Sequence, residues 1–536
     1  MPLCACAHCG DGVAVFEPFN VSSHMIPRWL PALLVTCVLL GRRASAQATQ
    51  TLIINADQGR DTISRHIYGH FAEHLGRGIY DGIFTRRSSG GWTPRKDVVQ
   101  ALRAIKIPNL RWPGGCFADY YHWKDGIGPI ERRPTVVNNN WGGVTEDNGV
   151  GTHEFLELTQ LLGAEPFIVG NVGSGSVQEM SEWWEYMNHS GASPMADLRR
   201  RNGRAEPWNV HFWGIGNESW GCGGNMRPEY YADVYKRFVS FLPAYGRVRA
   251  FRIATGPADE AYGWTEVVMR EAGRMIDGLD FHRYILTGTW SNKGHATVFS
   301  EAEWAELMQK ATQFDAIITR HATIMDRYDP AKRVWLIVGE WGVWHQPEPG
   351  TNPAFLYQQN TLRDAVAASV ILNILNNHAD RVHMANIAQT VNVLQAMILT
   401  QGDKMVLTPT YQVFALYTVH HDAVLLPIIL DAGQYVNGER SMPAVSATAS
   451  RDAAGRIHLT MTNVDPNQQR TLKVSVRGQS VTAVSGRILT AREMNAHNTF
   501  DQPTAVRPEA FSGARLDGGL LTVKLPAKSV VALELR

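Results

Sequence analysis

The chain has 536 residues, of which 44% are hydrophobic, too many for one ordinary core, so a large domain with a smaller partner is expected. Its 51 Lys and Arg against 50 Asp and Glu leave a formal charge of +1. That balance excludes a global field for recruiting nucleic acid or an anionic membrane and suits a neutral ligand, and the 16 tryptophans offer flat apolar faces that fit sugar rings as well as cores.

Residues 1–46 read as a leader. Arg28 precedes the apolar run Trp29 to Leu40, and Ala44-Ser45-Ala46 supplies small residues for cleavage, so export is expected, to the periplasm or the exterior. A start at Met25 would give a leader of more usual length. The run is too short for a permanent anchor, which needs roughly 20 apolar residues. Cys4, Cys6, Cys9 and Cys37 fall inside this leader, where a metal site is a poorer reading than a discarded segment. Cys116 and Cys222 remain, either as one bridge or as buried thiols lining a pocket; the reading favours thiols.

Within residues 47–60, Thr51 to Asn55 alternates like an edge strand. Residues 61–400 then alternate short apolar runs with amphipathic helical patterns. The eight runs are His66 to Leu75, Asn109 to Gly115, Glu165 to Gly173, His211 to Ser219, Phe251 to Pro257, Leu279 to Ile285, Val334 to Gly342 and Met384 to Leu394. Helices are expected over Pro94 to Ile105, Thr152 to Leu162, Pro228 to Phe241, Ala302 to Tyr328 and Asn360 to Asn376. Eight such units predict an α/β fold, a (β/α)8 TIM barrel, with chemistry at the carboxyl ends of its strands. Residues 401–536 turn to alternating strands such as Ala444 to Thr448, Ile457 to Asn463, Thr471 to Val476 and Ser529 to Leu535, which predict a C-terminal all-β sandwich of jelly-roll type.

Two acids stand where barrel strands end. Glu218 closes Phe212-Trp213-Gly214-Ile215-Gly216-Asn217, and Glu340 closes Val334-Trp335-Leu336-Ile337-Val338-Gly339, on the fourth and seventh strands. Glycosidic hydrolysis uses such a pair: about 5–5.5 Å of separation makes one a nucleophile, whereas about 6.5–9.5 Å leaves room for water. The competing reading, a Glu paired with an Arg or capping a helix, is weakened by position at the end of a buried apolar strand. His122, His153 and His282 lack the close spacing of a catalytic metal motif, so neither metal nor cofactor is expected. Gly221-Cys222-Gly223-Gly224 lacks the Lys-Ser/Thr ending of a phosphate loop and reads as a tight turn.

Gly216-Asn217-Glu218 and Gly339-Glu340-Trp341-Gly342 resemble the two catalytic signatures of glycoside hydrolase family 51, the α-L-arabinofuranosidases. The resemblance extends through Phe71-Ala72-Glu73-His74-Leu75-Gly76, Arg111-Trp112-Pro113-Gly114-Gly115-Cys116, Trp123-Lys124-Asp125-Gly126-Ile127-Gly128-Pro129, Asn138-Asn139-Asn140-Trp141-Gly142 and Asn386-Ile387-Ala388-Gln389. It implies a retaining enzyme that removes terminal α-L-arabinofuranosyl residues from plant polysaccharides or oligosaccharides, with Thr51 to Asn55 contributing to the sandwich. It also implies Glu218 as acid/base, Glu340 as nucleophile, Asn217 on the sugar 2-hydroxyl, Glu73 and Gln389 on other hydroxyls, Tyr284 on the nucleophile and Cys116 in the pocket wall. Trp141, Trp220, Trp341 and Trp344 lie in loops suited to stacking on a sugar, Trp141 being carried over as a binding residue. Relatives in this family suggest a homo-oligomer, which no periodicity demonstrates. The alternatives are a retaining β-glycan hydrolase, an endoglucanase or xylosidase with the same Asn-Glu and distant Glu, and an inactive carbohydrate-binding protein.

Overall fold

The computed structural model describes residues 50–536 except Ser89, so the expected leader and its four cysteines lie outside the described residues. Eight parallel strands, Gly69–Phe71, Asn109–Trp112, Glu165–Gly170, Phe212–Ile215, Phe251–Ala258, Gly278–Ile285, Trp335–Val343 and Val382–Ala388, close into a barrel in chain order. Each overlaps one of the expected runs, because a parallel strand covered on both faces is largely apolar. Phe167, Val169, Phe212, Ile253, Ile337 and Met384, from five of these strands, cluster together as the packed floor beneath the polar residues of the strand ends.

The helical layer differs from expectation at two places. The span Ala302 to Tyr328 is two helices, Glu301–Thr312 and Phe314–Tyr328, with Gln313 capping both. Helix Pro409–Tyr417 carries the α-helical layer past residue 400, and the first sandwich strand after the barrel is Val424–Leu426. Helix Leu362–Asn377 is buried on nearly every side, since it lies between the barrel and the C-terminal sheets. Its Ser369 and Asn373 reach Thr462, and Asn373 also reaches Ser446, so polar side chains stitch the helix to the sandwich. Among the described residues no helix is long and apolar enough to cross a membrane.

The sandwich has a five-stranded and a six-stranded sheet enclosing a separate apolar core. Strand Gln50–Asn55 lies inside the smaller sheet, parallel to Arg470–Arg477 and antiparallel to Ile428–Asp431, so it is no edge strand. Leu52 and Ile54 are fully buried in that core. Leu52→Ala is expected to cost about 2–5 kcal/mol of stability, the usual range for emptying a buried Leu site. Urea unfolding followed by tryptophan fluorescence checks this, and an unchanged midpoint would show that the strand contributes little.

Candidate active site

The strand ends converge on a cavity of about 90 Å³ lined by Glu73, Cys116, Trp141, Asn217, Glu218, Tyr284, Glu340, Trp344 and Gln389, with Leu75, Leu356, Leu394 and Gly115 as its apolar and backbone wall. All eight residues singled out from sequence therefore meet in one place. Glycines explain how the wall comes so close: a Cβ on Gly114 would lie 2.6 Å from Glu73 Cγ, and one on Gly115 would lie 2.9 Å from Glu340 Oε1. Glu218 follows Gly216, whose φ is +82°, and itself holds a φ of +40°, a region that costs a residue with a Cβ and recurs at functional sites.

Glu340 is held as an anion. Arg111 Nη1 donates to its Oε1 at 2.7 Å, and the Tyr284 hydroxyl donates to Oε2 at 2.7 Å. Burial pushes its pKa up, but the positive charges of His282 and Arg111 and these hydrogen bonds outweigh burial and hold it below the ordinary value. The other arm of Arg111 donates to Asn217 Oδ1 at 2.6 Å.

Glu218 faces the same centre. His282 Nδ1 donates to Glu218 Oε1 at 2.9 Å and lies 3.6 Å from Glu340 Oε1. Parallel pairing sets His282 directly beside Glu340 across neighbouring strands. Burial opposes the charge on His282, yet Glu340, Asp280 and Glu218 raise its pKa to about 10. Polar atoms of Glu218, His282 and Glu340 all lie within 4.8 Å of one another. The spacing could also close on a cation, for which His282 would have to give up its proton. Cys116, Glu218 and Cys222 form a second such group, with their sulfurs bonded to each other.

Glu73 lies on the opposite wall. Its Oε1 accepts from Trp141 Nε1 at 2.8 Å and from the Phe117 amide at 3.1 Å, and its Oε2 accepts from Gln389 Nε2 at 3.2 Å. Burial, and then the Glu340 charge, raise its pKa to about 7. Asn138 accepts from the Trp141 amide and donates to the His74 carbonyl, which fixes the Asn-Trp loop above the cavity.

Several expectations change. Cys116 and Cys222 are joined by a disulfide, so the favoured reading of two thiols is corrected. Their Cα atoms come to 5.5 Å because the loops after the second and fourth strands meet at the cavity rim. Trp341 is fully buried against Phe414, and Trp220 donates to the Gly256 carbonyl; of the four loop tryptophans only Trp141 and Trp344 border the cavity. His122 and His153 bond Glu179 and Tyr186 instead of the site. Sequence reasoning gave no role to Arg111, Asp119, Asp280 or His282. Alternation held the signal, since Asp280, His282 and Tyr284 are two apart and share one face of their strand. Asp119 accepts from the Asn217 amide at 2.9 Å and the Val172 amide at 2.7 Å, and burial raises its pKa to about 6.

Comparison with known proteins matches residues 339–529 to the α-L-arabinofuranosidase C-terminal domain and residues 101–297 to the α-L-arabinofuranosidase 1 domain. The intracellular exo-α-L-arabinofuranosidase of Bacteroides ovatus is 49% identical over 92% of this chain and 96% of its own length. The crystal structure of the GH51 arabinofuranosidase from Xanthomonas axonopodis pv. citri matches with a TM-score of 0.89 at 49% identity, over 91% of this chain and all of that one. The arabinose complex of the Thermotoga maritima α-L-arabinofuranosidase matches at 0.80 and 31%, over 91% and 99%. The expectation of export is corrected by these findings, because the Bacteroides relative is named an intracellular enzyme.

The His282 charge gives a stability test. Its folded pKa of about 10 exceeds the ordinary 6.5, so the stability it lends is complete below pH 6.5 and is lost as pH rises toward 10. The thermal midpoint should fall more steeply between pH 6.5 and 10 in the unaltered protein than in His282→Asn; parallel curves would mean that His282 does not hold its proton.

Proposed function

The chain belongs to the α-L-arabinofuranosidases of glycoside hydrolase family 51, and we propose that it removes terminal α-L-arabinofuranosyl groups by double displacement, with Glu340 as nucleophile and Glu218 as acid/base. The observation that carries this reading is that Glu218 and Glu340 each bring a carboxylate oxygen within 4.8 Å of the other, a proximity that accords with the about 5–5.5 Å carboxyl spacing of retaining enzymes and not with the about 6.5–9.5 Å of inverting ones.

In the first half-reaction ionised Glu340 attacks the anomeric carbon while Glu218 gives its proton to the departing oxygen. That proton sits on Oε2, because Oε1 accepts from His282. Formation of the glycosyl ester removes the Glu340 charge, and Glu218, having given up its proton, takes one from water in the second half-reaction. Asn217, fixed by Arg111 and Asp119, is aimed at the sugar 2-hydroxyl, and Glu73 and Gln389 bind the remaining hydroxyls. The small cavity at the barrel mouth suits one terminal furanose, which supports side chains of arabinoxylan, ends of arabinan, or short oligosaccharides as substrates.

Glu218→Ala should lower hydrolysis of unactivated arabinosides about 10²–10⁴-fold while sparing bond cleavage for activated aryl arabinofuranosides, and added azide should yield the α-configured arabinosyl azide. Equal loss on both substrate types would sink the assignment. Proton NMR of the first product formed from an aryl α-L-arabinofuranoside should show the α anomer; a β product would mean inversion. Aryl β-xyloside, the substrate of the alternative β-glycan reading, should be turned over far more slowly.

A further inference from the structure

The pocket ends at Trp344, but the aromatic surface does not. Trp344 meets the Tyr284 ring edge-on with centroids 5.0 Å apart, and its other side meets Trp290 at 5.5 Å. Trp290 is 59% exposed, a rare state for so large an apolar ring. Its backbone is not loose. Thr289 and Asn292 exchange amide hydrogen bonds of 3.0 Å, so Trp290 and Ser291 sit at the tip of a closed turn, and the Gly288 amide donates to Glu306. Lys293 Nζ donates to the Trp290 carbonyl and lies 5.7 and 5.6 Å from the centres of the Trp290 and Trp344 rings, filling the angle between them.

An exposed indole alone carries no function, but this one continues the pocket's aromatic wall through its contact with Trp344. An exo-acting pocket that holds one terminal ring leaves only the leaving group to extend outward, and Trp290 is two ring contacts from the tyrosine that touches the nucleophile. We propose that Trp290 and Lys293 form an aglycone subsite: the indole stacks on the apolar face of a sugar in the glycan that bears the arabinofuranose, and the ammonium donates to that sugar's hydroxyls. The proposal rests on Glu218 and Glu340 being the catalytic pair. Continuity with the pocket through Trp344 makes a glycan the occupant, and the formal charge of +1 sets up no field for an acidic partner.

The test compares three substrates in the full chain: methyl α-L-arabinofuranoside, whose leaving group is too small to reach the turn, an arabinosylated xylo-oligosaccharide, and an α-1,5-linked arabino-oligosaccharide. Trp290→Ala should lower kcat/KM on one or both oligosaccharides about 3- to 10-fold, in line with an aromatic stacking contact, and leave the methyl glycoside unchanged. Trp290→Phe should recover most of the loss. Equal loss on all three substrates, or none on either oligosaccharide, overturns the subsite. Failure of the unaltered enzyme to cleave any of the three substrates, or full activity in Glu340→Gln, overturns instead the catalytic assignment beneath it.

Discussion

A buried guanidinium organises this molecule. Arg111 is wholly inaccessible, lies 4.6 Å from the centre of the Phe71 ring, and divides its two arms between Glu340 and Asn217. A cation so placed is tolerable only when its partners are fixed, and truncating one partner of such a pair typically costs about 3–5 kcal/mol. The planar fork therefore ties the seventh strand to the segment after the fourth, and both to the second. The apolar floor of Phe167, Phe212 and Ile337 raises the stakes by keeping water from substituting for either contact.

Around that cation the charges alternate. Glu340 lies between Arg111 and His282, His282 lies between Glu340, Glu218 and Asp280, and Glu73 faces the cluster from the opposite wall with burial raising its pKa toward neutrality. Glu73 and Glu340, identical side chains, thus acquire different proton affinities from their surroundings. The arrangement would also link protonation to the proposed reaction: were Glu340 esterified, Arg111, Tyr284 and His282 would all lose the same neighbouring anion at once.

Much of this was legible in the sequence, for reasons that can be named. Eight apolar runs located all eight barrel strands, since burial on both faces leaves an unbroken hydrophobic signal, and the motifs located Glu73, Asn217, Glu218, Tyr284, Glu340 and Gln389. Helices Val177–Asn188 and Pro194–Arg201 escaped notice although Ser176 and Ser193 cap them, because their apolar stripes are mixed with charge. His282 was set aside because it was weighed as a metal ligand and not as a counter-ion; partners brought together across strands leave no spacing to read. The same blindness left the bridge between Cys116 and Cys222, 106 residues apart, undecided against two thiols, and hid Trp290, whose meaning depends on which ring it touches.

The position of strand Gln50–Asn55 has a bearing on how the molecule is made. Both of its neighbours, Ile428–Asp431 and Arg470–Arg477, lie hundreds of residues later in the chain, so on a ribosome this segment emerges before the barrel and meets its hydrogen-bond partners only after it. Leu52, Ile53 and Ile54 stay without their sheet while the whole barrel is synthesised, which exposes an aggregation-prone strand for as long as translation takes. The barrel is in effect an insertion between the first and remaining strands of the sandwich. A stalled or prematurely ended chain would lack the sheet even with every catalytic residue already translated.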